Sequence, residues 1–169
     1  MDDQQVWDLG AVRLKRLLAG LSASTMLELT VLLTRYRKAK EVLAAVVAEV
    51  DASYVCRECA GQCCQNGKYR INVFDVLARI AAEIPTVTDF SQKPLCPYGT
   101  DAGCTMEPGL RPADCVLFVC DAIERKLSPH SMLVLATEER GLRECIHAAS
   151  RLTGEQLGNP LLLWAGKSR

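Results

Sequence analysis

The sequence predicts a mainly α fold: a small helical domain with an irregular cysteine-rich region, expected to bind metal, and at most one short strand pair. Three observations predict it. Apolar residues recur at three- and four-residue intervals toward both ends of the chain. Eight of the nine cysteines fall between Cys56 and Cys120. Proline and glycine crowd residues 85–111, where loop is expected. A chain of 169 residues suffices for one domain with its own core. We therefore expect a single domain in three parts. These are a helical hairpin over 1–53, a cysteine cluster region over 54–127, and a C-terminal helical segment with a tail over 128–169.

The first helix is read from Val6, Leu9, Leu14, Leu17, Leu18 and Leu21, with Gly20 at its end. The second starts at Thr25, which stands three residues before Glu28 with the spacing of a capping box. Its stripe is Leu29, Leu32, Leu33, Tyr36, Ala39, Leu43, Val47 and Val50. The two are expected to pack as an antiparallel pair, as core and lid or as a surface for an unknown protein partner. Tyr69 to Val73 is a short extended stretch. Asn72 then caps a helix with Asp75 in its first turn, where a carboxylate suits the exposed amides. Phe74, Leu77, Ala78, Ala81 and Ile84 share its buried face, and Pro85 ends it. Arg111-Pro112 opens another helix, with proline in the first turn. Ser128-Pro129 opens the last long one, which runs to about Leu152 with a break expected at Gly141. Leu161, Leu162, Leu163 and Trp164 in the tail are expected to dock back, because exposed apolar side chains are costly.

Charge is balanced, with 20 basic and 20 acidic residues. No basic excess points to nucleic acid. The acidic, polar start Met1-Asp2-Asp3-Gln4-Gln5 is unlike a secretory signal, and no apolar run reaches membrane-span length. A cytoplasmic location with no membrane contact is therefore expected. In a reducing compartment, clustered cysteines serve metals or redox chemistry more often than disulfides.

Two groups of cysteines carry the chemistry. The first is Cys56, Cys59, Cys63 and Cys64; the second is Cys96, Cys104, Cys115 and Cys120. Thiolates suit zinc and iron because both ions bond strongly to soft sulfur. On a continuous helix Cys56, Cys59 and Cys63 share a face, and Cys64 is rotated by roughly 80° from Cys56. On a helix, Cys115 and Cys120 lie roughly 140° apart, so both can reach one centre only if the helix ends between them or the centre sits beyond its end. Eight cysteines permit one four-sulfur cluster or two zinc sites. Charge does not choose, because Zn²⁺ and a [4Fe–4S]²⁺ cluster carry the same formal charge on four thiolates. Cys145 lies on an apolar helix face and is read as core. His130 and His147 have no ligand spacing to another histidine. No phosphate loop, dinucleotide fingerprint or serine nucleophile elbow is present.

Over residues 53–124 the chain resembles the CxxCxxCC family of zinc- or iron-chelating proteins, the YkgJ-like cysteine cluster proteins. The likeness rests on Cys56-x-x-Cys59-x-x-x-Cys63-Cys64, on the run from Lys68 through Asp75 to Ala78, and on Cys96, Cys104 and Arg111-Pro112-Ala113-Asp114-Cys115-Val116-Leu117-Phe118-Val119-Cys120. Val116 and Val119 stand where that family has arginine and proline. The resemblance implies an iron–sulfur cluster (4Fe–4S) or Zn held by cysteines. Arg111 is expected to support the bound group by charge compensation or hydrogen bonding to thiolates. A cluster-dependent oxidoreductase or a methyl-transfer enzyme is the alternative, the latter through a distant likeness to flagellin lysine methylases. A zinc-stapled interaction module is a third reading.

Overall fold

The structure is a computed structural model that describes residues 1–60, 62, 67, 69–85, 90, 96, 98–100 and 103–166. It is mainly helical, as expected. Helix α1 spans Asp3–Ala19. Its N-terminus is closed by a capping box: Gln5 N–H donates to the Asp2 carboxylate at 2.8 Å, and Asp2 N–H donates to Gln5 Oε1 at 3.1 Å. Helix α2 spans Ala23–Ala48. Its cap is Ser22, whose hydroxyl accepts from Thr25 N–H at 3.1 Å. Thr25 is thus the third helical residue rather than the cap, because Ser22 already supplies an oxygen one turn earlier.

The two helices do not form the expected hairpin as their main pairing. Helix α2 packs principally on α7 (Pro129–Thr153), and α1 on the short tail helix α8 (Leu161–Gly166). Gly10 explains the closeness of the second pair. A Cβ there would lie 3.0 Å from Leu161 Cδ1 and 3.2 Å from the Ala165 Cβ. Arg13 fastens the same joint. Its guanidinium pairs with Glu155 at 3.0 Å and lies 3.7 Å over the Trp164 ring, while Trp164 Nε1–H donates to Glu155 at 3.0 Å. The docked tail was expected, and Leu161 and Trp164 are buried in it.

Helix α7 begins on the Ser128 cap, ends at Gly154 in left-handed backbone (φ 71°), and runs unbroken through Gly141. The expected break is absent because one glycine inside a helix costs only about 1 kcal/mol, less than the burial of Leu142, Cys145 and Ala149 on α2 returns.

Helix α4, Val73–Ala81, runs through the interior. Val73, Phe74, Val76, Leu77 and Ala78 are all buried, so its apolar surface reaches beyond a single face. A buried helix start must satisfy its free amides. Here Val73 N–H donates to Asn159 O and Phe74 N–H to Leu157 O, both at 3.0 Å. Asn72 and Asp75 close a capping box, and Asn72 also forms an isolated bridge with Pro160. That bridge replaces the extended stretch expected over Tyr69–Val73. Before it, Arg70 N–H donates to Gly67 O at 3.0 Å.

Between α2 and α4 lies the seven-residue helix α3, Ala52–Glu58. The loop after α4 holds the two-residue strands β1 (Gly99–Thr100) and β2 (Gly103–Cys104), paired antiparallel with Gly99 opposite Cys104. A 3₁₀ turn (Pro108–Leu110), α5 (Ala113–Leu117) and α6 (Asp121–Glu124) follow. The 3₁₀ turn lies flush on α2: a Cβ on Gly109 would stand 3.0 Å from Glu41 Oε1 and 3.4 Å from the Arg37 carbonyl. Among the described residues, no helix is long and apolar enough to cross a membrane.

Candidate metal centre

The cysteines sit on short elements and their ends. Cys56 lies in the last turn of α3 and Cys59 caps its C-terminus, with its thiol donating to Cys56 O at 3.4 Å. Helix α3 stops there. Cys59 has ψ 5° and Ala60 has φ 49°, a left-handed conformation that costs an alanine roughly 1–2 kcal/mol. Of the face expected for Cys56, Cys59 and Cys63, α3 itself carries Cys56, with Cys59 at its C-terminal cap. Cys63 and Cys64 lie outside the described residues.

In the second group, α5 ends at Leu117 and Phe118 is extended (ψ 105°). Cys120 then occupies the N-cap of α6. The helix does end between Cys115 and Cys120, which is the geometry that lets both approach one centre. Cys96 is buried three residues ahead of β1, and its carbonyl accepts from Gly99 N–H at 2.8 Å. Cys104 ends β2.

The fold draws these segments together. Helix α3 packs against both β2 and α6, which brings the Cys56 element to those of Cys104 and Cys120. Cys96, Cys104 and Cys115 lie within electrostatic reach of one another. Burial pushes the Cys115 thiol up to about 12; Arg70 opposes the rise, and Asp75, Cys96 and Cys104 add to it. Burial also raises Cys96, opposed by backbone hydrogen bonding with Tyr98 and assisted by Cys104. The Gly67 backbone abuts this group: a Cβ there would fall 2.8 Å from both Cβ and Sγ of Cys96. Only glycine leaves that sulfur its space. Among the described residues, no three or more His, Cys, Asp or Glu side chains converge as a ready metal-holding set.

Beneath the cysteines lies a buried polar network centred on Asp75. Its carboxylate accepts from Tyr36 Oη–H at 2.9 Å, Lys40 Nζ at 3.1 Å, Asn72 N–H at 3.2 Å and Ala113 N–H at 3.2 Å. Lys40 also donates to the Arg111 carbonyl at 2.8 Å. The Lys40 and Asp75 side chains are 0% and 1% exposed. Burial holds the Lys40 ammonium below its ordinary pKa, with Asp75 opposing. Burial raises the Tyr36 phenol well above its ordinary value, and Asp75 adds to the shift.

Arg111 braces its own loop. Its Nε–H donates to the Met106 carbonyl at 3.1 Å, and its backbone carbonyl takes the Lys40 bond. The cation with the largest favourable influence on the Cys115 thiolate is Arg70, whose guanidinium lies 5.0 Å over the Phe118 ring. Sequence reasoning missed both Arg70 and Lys40. For Lys40 a signal existed: it follows Tyr36 by four residues and precedes Leu43 by three, so it interrupts the apolar stripe of α2. Arg70 carried no such mark. Cys145 is 2% exposed in the core, as its helix face implied, and His130 and His147 are exposed. An open groove of about 530 Å³ between α2 and α7, lined by Glu28, Val31 and Arg151, contains none of the cysteines.

Comparison of the chain with protein-family models, with curated proteins and with solved structures finds no match.

Proposed function

We propose that the chain is a cysteine cluster protein that holds zinc or an iron–sulfur cluster, with ligands drawn from Cys56, Cys59, Cys63, Cys64, Cys96, Cys104, Cys115 and Cys120. The supporting observation is that Cys96, Cys104 and Cys115, distant in sequence, share one electrostatic neighbourhood beside the element that carries Cys56. The donor chemistry fits. The proposed donors are cysteine sulfurs, which suit zinc or iron rather than hard cations. The raised thiol pKa values describe neutral thiols, and a bound divalent cation reverses that balance by deprotonating its ligands. When bound, the metal would cross-link the α3, β2 and α5–α6 segments and couple their folding to its own binding. The resemblance to the YkgJ-like cysteine cluster proteins supports the same reading. A reducing cytoplasm would keep the thiols available.

Anaerobic purification followed by an absorption spectrum and metal analysis tests the proposal. Broad visible absorption with bound iron and sulfide identifies a cluster; a colourless protein with stoichiometric zinc identifies a structural ion. A blank metal analysis, together with identical melting before and after chelator treatment, overturns it. Enzymatic oxidoreduction or methyl transfer would additionally need an open coordination position or a cofactor pocket. Donor or electron-carrier binding that disappears in Cys115→Ser is its test.

A further inference from the structure

The Lys40–Asp75 pair has no local reason to exist. A fully buried ion pair often contributes less to stability than well-packed apolar residues of the same volume, because desolvation offsets the attraction. A leucine at position 40 would continue the α2 stripe without that cost. The pair does something an apolar contact cannot: it reaches polar backbone on another element. Lys40, on α2, donates to the carbonyl of Arg111 at 2.8 Å. Asp75, on α4, accepts from the amide of Ala113 at 3.2 and 3.3 Å. Both bonds fall on residues 111–113, at the start of α5, where Cys115 is the third helical residue. Two helices of the rigid core therefore grip, through directional bonds, the backbone that sets where Cys115 points.

We propose that Lys40 and Asp75 are positioning residues that fix the Cys115 limb for metal capture, an inference that rests on the metal-binding reading above. The pair preorganises one ligand before the ion arrives. Less ordering is then left for binding to offset. Partners of this kind, which orient a ligand without touching the metal, typically contribute about 10–100-fold in metal affinity. Tyr36 serves the same hub. Its hydroxyl donates to Asp75 and accepts from Asn72 Nδ2 at 3.3 Å, which holds the carboxylate in its orientation.

The test uses the full chain with Zn²⁺ and Co²⁺ as probes. Removing Lys40 alone would strand a buried carboxylate and risk unfolding, so the decisive variant is Lys40→Met/Asp75→Asn. It removes one positive and one negative charge, so the net charge is unchanged, and asparagine keeps an acceptor for the helix cap. Circular dichroism should retain the helical signal. Zinc affinity, measured by competition with a chromophoric chelator, should fall about 10–100-fold. The thiolate-to-cobalt charge-transfer band should weaken, which a purely structural role would not cause. With metal stripped, Cys115 should be alkylated about tenfold faster while buried Cys145 stays protected. If the natural chain binds zinc and the double variant matches it within about twofold, this proposal alone falls. An affinity loss with unchanged Cys115 alkylation also overturns it, because the limb was then not what the pair held. If the natural chain takes up neither ion, this proposal falls; a blank metal analysis of the anaerobically purified chain overturns the metal reading as well.

Discussion

Asp75 gathers four donors from three segments of the chain, and one of them, Tyr36, is held well above an ordinary phenol first by burial and then by the charge of that carboxylate. Its hydroxyl is fully buried and donates to a carboxylate, so ionisation would place two negative charges side by side in a dry interior. The direction for stability follows. The folded pKa lies above the unfolded value of about 10, so the contribution is complete below that pH and is lost as pH rises through the folded value. In an alkaline titration followed near 295 nm, the spectrum of the natural chain minus that of Tyr36→Phe should show a phenolate that appears only in step with unfolding. A Tyr36 phenolate formed while the helical signal is intact would contradict the described burial.

At the scale of elements, the joints between helices are set by small residues and by a few directional bonds. Gly10 lets α1 approach α8 closely, and Arg13 ties the same joint to Glu155. Gly10→Val would press branched methyls into Leu161 and Ala165. Overpacking of this kind costs typically about 1–3 kcal/mol, and the loss should be read as a lower denaturant midpoint with little change in slope. The cysteine-bearing elements follow a different rule. Helices α3, α5 and α6 are 7, 5 and 4 residues long, too short to persist by propensity. They hold their places through the 3₁₀ turn on α2, the Asp75 network and packing among themselves.

At the scale of the molecule, α2 is the shared support. One side meets α7, and it also carries the 3₁₀ turn and α5. The first 53 residues therefore do not behave as a separable partner-binding unit. Deleting residues 1–53 should unfold the remainder, read as loss of helical circular dichroism and of cooperative melting. A truncated chain that kept its α7 helix and melted cooperatively would refute this architecture. Any partner surface on these helices must be tested by point substitution at exposed positions such as Leu27 and Val31, which are 68% and 54% exposed.

Local chemistry was legible from the chain alone. The caps at Asn72 and Ser128, the helix end near Leu152 and the core role of Cys145 depend on neighbours three or four residues away, and periodicity and capping record such neighbours. The grouping of cysteines as one region was legible for the same reason, since it is a matter of spacing. Partner choice was not. That α1 meets α8, that α2 meets α7, and that Cys96, Cys104 and Cys115 become neighbours all depend on which apolar faces bury one another across more than a hundred residues or around a loop. The length of the helix that carries Cys56 was not legible either, because a helix extrapolated from spacing carries no information on where tertiary packing stops it. Here it stops at Glu58, and Ala60 turns left-handed. Lys40 shows the boundary most clearly. The sequence marks it as a charge inside an apolar stripe. Only the folded chain supplies the carboxylate and the carbonyl, 35 and 71 residues away, that make its burial tolerable.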